Sequence, residues 1–203
     1  MSRSVLAGIL LAAGASTRMG PDRNKLLEPV AGRPMLAWPV TALAEAGVAP
    51  IVVVTGFERA AVAEAVSALA CECIACPDWR EGMGVSLAQG ARALIGREVT
   101  GVVVCMGDLP GLRGEHVAPL VAAFEAASSP DSIVVATHEG RRGHPVVFGA
   151  AHLGALAGLT GDRGGRDLVE AAGERLIEVE IDSDAILRDV DRPEDLDGWI
   201  GNA

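Results

Sequence analysis

Residues Val5 to Lys25 read VLAGILLAAGASTRMGPDRNK. The continuous apolar run Val5–Ala13 has the pattern of a strand buried on both faces of a parallel sheet. It then breaks into the small residues Ala12-Ala13-Gly14-Ala15-Ser16-Thr17 and ends with Arg18, Gly20, Arg23 and Lys25. Small side chains let a ligand approach the backbone, so successive N–H groups line an anion-binding concavity while the basic residues add charge from one side. A strand running into such a loop is the layout of a phosphate site in an open α/β sheet. Two common phosphate loops are excluded: neither G-x-x-x-x-G-K-[ST] nor G-x-G-x-x-G is present.

Composition singles out one residue of this stretch. Of 17 basic side chains, 16 are arginine; Lys25 is the one lysine. A compact ammonium and a planar guanidinium differ in hydration and bond geometry, so a site that needs a point charge would look like this. The formal charge of −10 is uneven. Residues 1–50 carry five basic and three acidic side chains, leaving 12 basic and 24 acidic beyond. That argues against nucleic acid as a partner and for a local anion site near the N-terminus. A chain of 203 residues is expected to form one domain over 1–203. No apolar run approaches the ~20 residues of a membrane span, and the first residues lack the order of a signal peptide, so a cytoplasmic protein away from membranes is expected. Cys71-x-Cys73-x-x-Cys76 lacks a fourth ligand at zinc-finger spacing. Cys71 and Cys73 instead fit alternate positions of a short strand.

Working outward, Pro34 suits the start of a helix that Gly47 would cap. Ile51–Val54 reads as a second buried strand, Glu58–Leu69 as a helix and Cys71–Ala75 as a short strand. A helix should end near Ile95. Val102–Met106 is a third buried strand, closed by Gly107-Asp108-Leu109-Pro110 and followed by helix Glu115–Ala127. Strand Ser132–Thr137 and the Gly140–Gly143 connection lead into His144–Phe148. Helices over Ala150–Leu159 and Arg166–Ala172, strand Arg175–Ile181 and a terminal helix complete the chain. Strands alternating with helices predict a three-layer, mostly parallel, Rossmann-like α/β sheet with right-handed crossovers. The hairpin-like region 132–148 adds at least one antiparallel strand.

Ligands in such sheets bind outside the carboxyl ends of the strands. Asp108, directly after an apolar strand, cannot belong to the core without a partner. It either caps the turn before Pro110 or, beside a phosphate loop, serves as a Mg²⁺ ligand. Asp191 precedes Pro193, which fits the first turn of a helix, so by spacing Asp191 or Arg192 caps that helix.

The string L-A-A-G-x-S-x-R-M-G-x-x-x-x-K over Leu11–Lys25 resembles the signature of the nucleotidyltransferases grouped with molybdenum cofactor guanylyl- and cytidylyltransferases. Similar strings cover most of the chain: Glu81-Gly82-Met83-Gly84-x-Ser86-Leu87, Gly107-Asp108-x-Pro110, Gly143-His144-Pro145-Val146-x-Phe148, Gly161-Asp162-x-Gly164-Gly165-Arg166 and Asp189-Val190-Asp191-Arg192-Pro193-Glu194-Asp195-Leu196. Leu11-Ala12-Ala13-Gly14 resembles the cytidylyl branch rather than the L-A-G-G of guanylyl relatives; Arg192 stands where the family often has threonine. The resemblance implies a sheet of the nucleotidyltransferase type and transfer of CMP from CTP to a molybdopterin-type acceptor, with release of pyrophosphate. It further implies that Leu11, Ala12, Ala13, Gly14, Gly84, Ser86 and Gly107 surround the nucleotide and that Arg18 and Lys25 hold its phosphates. Arg18, Lys25 and Asp108 would be catalytic, and Asp108 and Asp191 would bind Mg²⁺. His144, Asp162, Gly164 and Gly165 would face the acceptor, although His144 could equally be structural before Pro145. Two alternatives stay open. One is a related transferase using another nucleotide or a sugar or alcohol phosphate acceptor. The other is a non-catalytic chaperone that inserts the cofactor into a client molybdoenzyme.

Overall fold

The computed structural model describes residues 5–20, 23–197 and 199. Its main sheet has seven strands in the order β5-β4-β1-β6-β8-β7-β9. They are β1 (Leu6–Ala12), β4 (Ile51–Thr55), β5 (Glu72–Ala75), β6 (Gly101–Met106), β7 (Ile133–His138), β8 (Arg141–Gly149) and β9 (Leu176–Glu180). A separate two-stranded hairpin, β2 (Pro29–Val30) and β3 (Arg33–Pro34), follows the phosphate-type loop. Only β8 runs against the others in the main sheet, pairing antiparallel with both β6 and β7. The antiparallel strand expected from the 132–148 region is therefore present.

The apolar run that opens the chain becomes β1, in which all seven residues are buried. Its two faces feed two cores. Leu6, Leu10 and Ala12 pack with helices α1 (Ala37–Glu45), α2 (Arg59–Ala65) and α4 (Gly114–Ala127). Ala7, Ile9 and Leu11 pack with α3 (Met83–Leu94), α5 (Leu153–Ala157) and α6 (Arg166–Glu170) on the other side. The result is the three-layer α/β architecture, with a central strand apolar on both faces because helices cover both.

Several local boundaries differ from expectation: the helix expected over Glu58–Leu69 ends at Ala65, and that over Ala150–Leu159 divides into a 3₁₀ turn, Ala150–His152, and α5. Pro34 does not start a helix: it pairs with Pro29 in the small hairpin, and α1 begins at Ala37. Gly140–Gly143 is not all connection; the turn lies at Glu139–Gly140, both at positive φ, and β8 already starts at Arg141. The terminal helix is a single 3₁₀ turn, Pro193–Leu196, and the rest of that expectation lies outside the described residues. Cys71 precedes β5 while Cys73 lies on it, and no cysteine joins a metal-ligand group among the described residues. No helix among these residues is long and apolar enough to cross a membrane.

Candidate active site

Parallel register brings the ends of β1 and β6 side by side, Leu11 opposite Met106, so both following loops open on the same edge. Between them lies a cleft of about 790 Å³. Ala12 to Arg18 line one wall, Ser86 and Met83 of α3 another, and Lys25, Asp108, Asp189 and Asp191 the far end. The N–H groups of Gly14, Ala15 and Ser16 donate to no acceptor among the described residues. A row of free donors is what a backbone anion site requires.

The loop is held in shape by side chains. Ser16 sits in the left-handed region at φ 52°. Its Oγ accepts the Lys25 N–H at 3.1 Å and donates to Asn24 Oδ1 at 3.5 Å. Asn24 Oδ1 also accepts the Leu26 N–H at 3.1 Å, and the residue is buried. Below the loop, Met19, Val30, Met35, Val190 and Leu196 form a small apolar cluster of their own. Met19 neighbours Arg18 in sequence, and Val190 separates Asp189 from Asp191. This cluster thus ties the first charged loop to the last.

The Lys25 ammonium lies 2.5 Å from Asp108 Oδ2 and 2.7 Å from Asp191 Oδ1. Arg18 pairs with the other oxygen of Asp191. Burial alone would depress the Lys25 pKa, but the two carboxylates outweigh it and hold the ammonium above its ordinary value. The Lys25 hydrogen bond is the main cause keeping Asp191 below the usual carboxylate range. The capping question at Asp191 resolves in the same geometry. Asp195, not Asp191, accepts the N–H groups of Asp191 and Arg192, at 2.9 and 2.8 Å. The Asp191 carboxylate is left to face the cleft.

A third acid joins them. Oxygens of Asp108, Asp189 and Asp191 lie within 4.8 Å of one another. Partial desolvation and then the charges of Asp108 and Asp191 push the Asp189 pKa up. Asp108 is 5% exposed, and its Oδ1 has no hydrogen-bond partner among the described residues. Hard carboxylate oxygens crowded together, one of them buried and unpartnered, fit a divalent cation of the Mg²⁺ or Mn²⁺ type. Asp189 was not singled out from sequence. Its place follows from a tertiary contact: Val190 is buried and its N–H donates to Asp108 O at 3.1 Å, which holds both flanking acids beside Asp108.

Beside the cleft is a second cavity of about 500 Å³, sharing Leu11, Met83 and Asp162 with it. Val104, Val135, Val146 and Phe148 form its apolar floor, and His144 and Gly165 line it. His144 Nδ1 is buried without a partner among the described residues, and burial depresses its pKa. Gly164 packs on Met83 at the ridge between the cavities.

Of the residues expected around a nucleotide, Leu11, Ala12, Ala13, Gly14, Arg18, Lys25 and Ser86 line the first cleft, whereas Gly84 and Gly107 are not among its lining residues. Gly84 donates its N–H to Gly161 O at 2.7 Å, and a Cβ there would lie 2.6 Å from Thr160 O. Gly107 donates to Leu11 O at 3.0 Å. The structure thus uses both as close-packing positions that bring the walls together. Trp79 and Arg80, unremarked in the sequence, line the cleft, with the Arg80 guanidinium 4.3 Å from the Trp79 ring centre.

A family model described as the MobA-like NTP transferase domain matches residues 8–176. The chain belongs to this family. Asp189 and Asp191 lie beyond the matched residues. Among curated relatives, the bifunctional protein GlmU of Pelobacter propionicus is 37% identical over 139 residues, which make up 68% of this chain and 30% of that protein. The chain thus spans less than a third of the curated relatives it matches. Rv0371c from Mycobacterium tuberculosis H37Rv superposes with a TM-score of 0.81 at 26% identity over 100% of both chains. Its complex with manganese gives 0.80 at 24% identity, covering 98% of this chain and 100% of that one. CMP:2-keto-3-deoxy-manno-octonic acid synthetase complexed with CTP shares the fold, with a TM-score of 0.70 at 18% identity over 96% of each chain.

Proposed function

We propose that the chain is a Mg²⁺-dependent nucleotidyltransferase that joins CMP from CTP to the phosphate of a molybdopterin-type acceptor and releases pyrophosphate. The observation that carries this reading is the meeting of Arg18, Lys25, Asp108 and Asp191 at the end of a cleft walled by backbone donors. In it, the base lies against Leu11 to Gly14, where only backbone groups can read its edge, and Ser86 lies by the ribose. Arg18 and Lys25 contact the phosphates. Asp108, Asp189 and Asp191 would hold the Mg²⁺, which when bound supplies charge stabilisation to the phosphate oxygens.

The acceptor occupies the second cavity, with His144, Asp162, Gly164 and Gly165 about it, and His144 stays neutral because burial disfavours its charged form. An oxygen of the acceptor phosphate attacks the α-phosphorus in line. A new P–O bond forms, the α–β anhydride bond breaks, and its electron pair leaves with pyrophosphate. The chain forms no covalent intermediate; it orients two polyanions and offsets charge on the transferred group. The manganese complex of Rv0371c and the CTP complex of the octonic acid synthetase support metal and donor respectively. The latter also favours one second reading, a sugar-acid acceptor on the same fold. A protein that only carried the cofactor would have no use for three converging carboxylates.

The test is incubation with each of the four nucleoside triphosphates, Mg²⁺ and molybdopterin, following pyrophosphate and the dinucleotide. CTP alone should give both products. A different preferred nucleotide would move the base assignment, and no pyrophosphate with any of them would remove the transferase reading.

A further inference from the structure

We propose that Lys25 is a built-in counter-ion that competes with the divalent cation for Asp108 and Asp191, so that cation and nucleoside triphosphate enter the cleft cooperatively. The inference rests on the reading of this cleft as a nucleotide and metal site, and it deepens it by assigning how the two ligands are coupled. The ammonium contacts Asp108 Oδ2 and Asp191 Oδ1, and Arg18 takes the remaining oxygen of Asp191. Among the carboxylate oxygens of Asp108 and Asp191, Asp108 Oδ1 alone has no partner among the described residues. A cation that takes several carboxylate oxygens must therefore share them with the ammonium or displace it.

Sharing is unfavourable. A divalent ion bound to the same oxygens would lie within a few ångströms of a positive group that is only 14% exposed, where water screens little. Displacement needs somewhere for the ammonium to go. Lysine is suited to that, being a point charge on a flexible four-carbon stem, and a triphosphate lying along the Gly14–Arg18 loop offers it new oxygens. Arg18, with a side chain 66% exposed, is free to swing with it. The triphosphate thus draws both cations off Asp191 as it brings its own oxygens to the metal. Each ligand removes an obstacle to the other, and by linkage the gain in affinity is the same in both directions. In this scheme Lys25 opposes metal binding when no triphosphate is present and favours triphosphate binding always. A residue that served only to attract anions would not affect a cation in that way.

The probe is Mn²⁺ alone, titrated by the loss of its free paramagnetic resonance signal, with wild type, Lys25→Met, Lys25→Gln and Arg18→Gln. Without nucleotide, both Lys25 variants should bind Mn²⁺ at least tenfold more tightly than wild type, and Arg18→Gln should fall between. Against a protein-free control for the Mn²⁺ that CTP itself chelates, adding CTP should raise Mn²⁺ affinity at least tenfold in wild type and much less in the Lys25 variants. Circular dichroism checks that each variant is folded, and Mn²⁺ should raise the melting temperature of Lys25→Met more than that of wild type. Equal Mn²⁺ affinity in wild type and a folded Lys25 variant would overturn the competition, as would an undiminished CTP effect in that variant. Turnover is not part of the readout. A wild-type enzyme that releases pyrophosphate while these titrations coincide would lose only this inference. A protein that transfers nothing yet shows the shifts would lose only the transferase reading.

Discussion

Replacing Lys25 by methionine should expose how far the charged end of the cleft behaves as interior. The two partners are 14% and 7% exposed at Lys25 and Asp108, so this pair is not a surface bridge worth a few tenths of a kcal/mol. Methionine keeps most of the stem and removes the charge. Asp108 then keeps a buried carboxylate whose Oδ1 already lacks a partner and whose Oδ2 loses one. Breaking a buried pair on one side costs about 3–5 kcal/mol. At roughly 2–4 °C per kcal/mol for a domain of this size, the melting temperature should fall by about 6–20 °C. Asp191 contributes less, since it is a third exposed and retains Arg18. The second arm is Lys25→Met with Asp108→Leu, which leaves no charge behind and should recover most of the loss. Urea unfolding of wild type, both single variants and the double variant yields the coupling energy, expected above about 2 kcal/mol. A loss under about 1 kcal/mol for Lys25→Met, with additive single effects, would refute the reasoning and make the pair a solvated one.

Three further outcomes follow from the same geometry. Asp189→Asn should raise the Mg²⁺ concentration needed for turnover without lowering stability, since it removes one of three crowded carboxylates; an unchanged Mg²⁺ titration would exclude Asp189 from the metal set. Gly14→Val should fold with stability within about 0.5 kcal/mol of wild type, because nothing lies within 4 Å of a Cβ there, yet calorimetry should detect no CTP binding. Normal CTP binding would move the base away from Gly14. Ser16→Gly relaxes the left-handed backbone but deletes the hydroxyl that accepts the Lys25 N–H, so kcat should fall by about tenfold with little change in KM for the nucleotide. Wild-type kcat would reduce Ser16 to a turn residue.

Much of this arrangement was legible in the residues themselves. The uninterrupted run from Val5 read as a strand covered on both faces, and Asp108, placed after five apolar strand residues and Gly107, could not belong to the core without a partner. Lys25 stood out by composition and proved to be that partner. What stayed hidden was of two kinds. The β2–β3 hairpin has strands of two residues, too short for any alternation to register, and its turn is made by Ala31 and Gly32 at positive φ, of which only the glycine signals a turn. Asp189 and the choice between capping and facing the cleft at Asp191 depend on contacts across the whole chain. Neither the buried Val190 between them nor the rival cap at Asp195 can be inferred from spacing. Gly84 and Gly107 illustrate the converse: a motif position can be held by close packing, Gly84 against the Thr160–Gly161 backbone and Gly107 against the Leu26 and Leu36 side chains and Leu11 O.

The apolar cluster that joins Met19, Val30 and Met35 to Val190 and Leu196 also has a consequence in time. Lys25 and Asp191 are 166 residues apart, so at ribosomal rates of roughly 5–20 residues per second about 8–33 s separate their synthesis. From the synthesis of Asp108, midway through that interval, the nascent chain holds the phosphate-type loop and Asp108 but neither closing acid. Met19, Val30 and Met35 meanwhile lack the two side chains that cover them. An unfinished chain therefore shows a greasy spot where a finished one shows a site. Closure of that spot and completion of the carboxylate set both await Val190 and its flanking acids, so the three carboxylates converge only after β9 has been made.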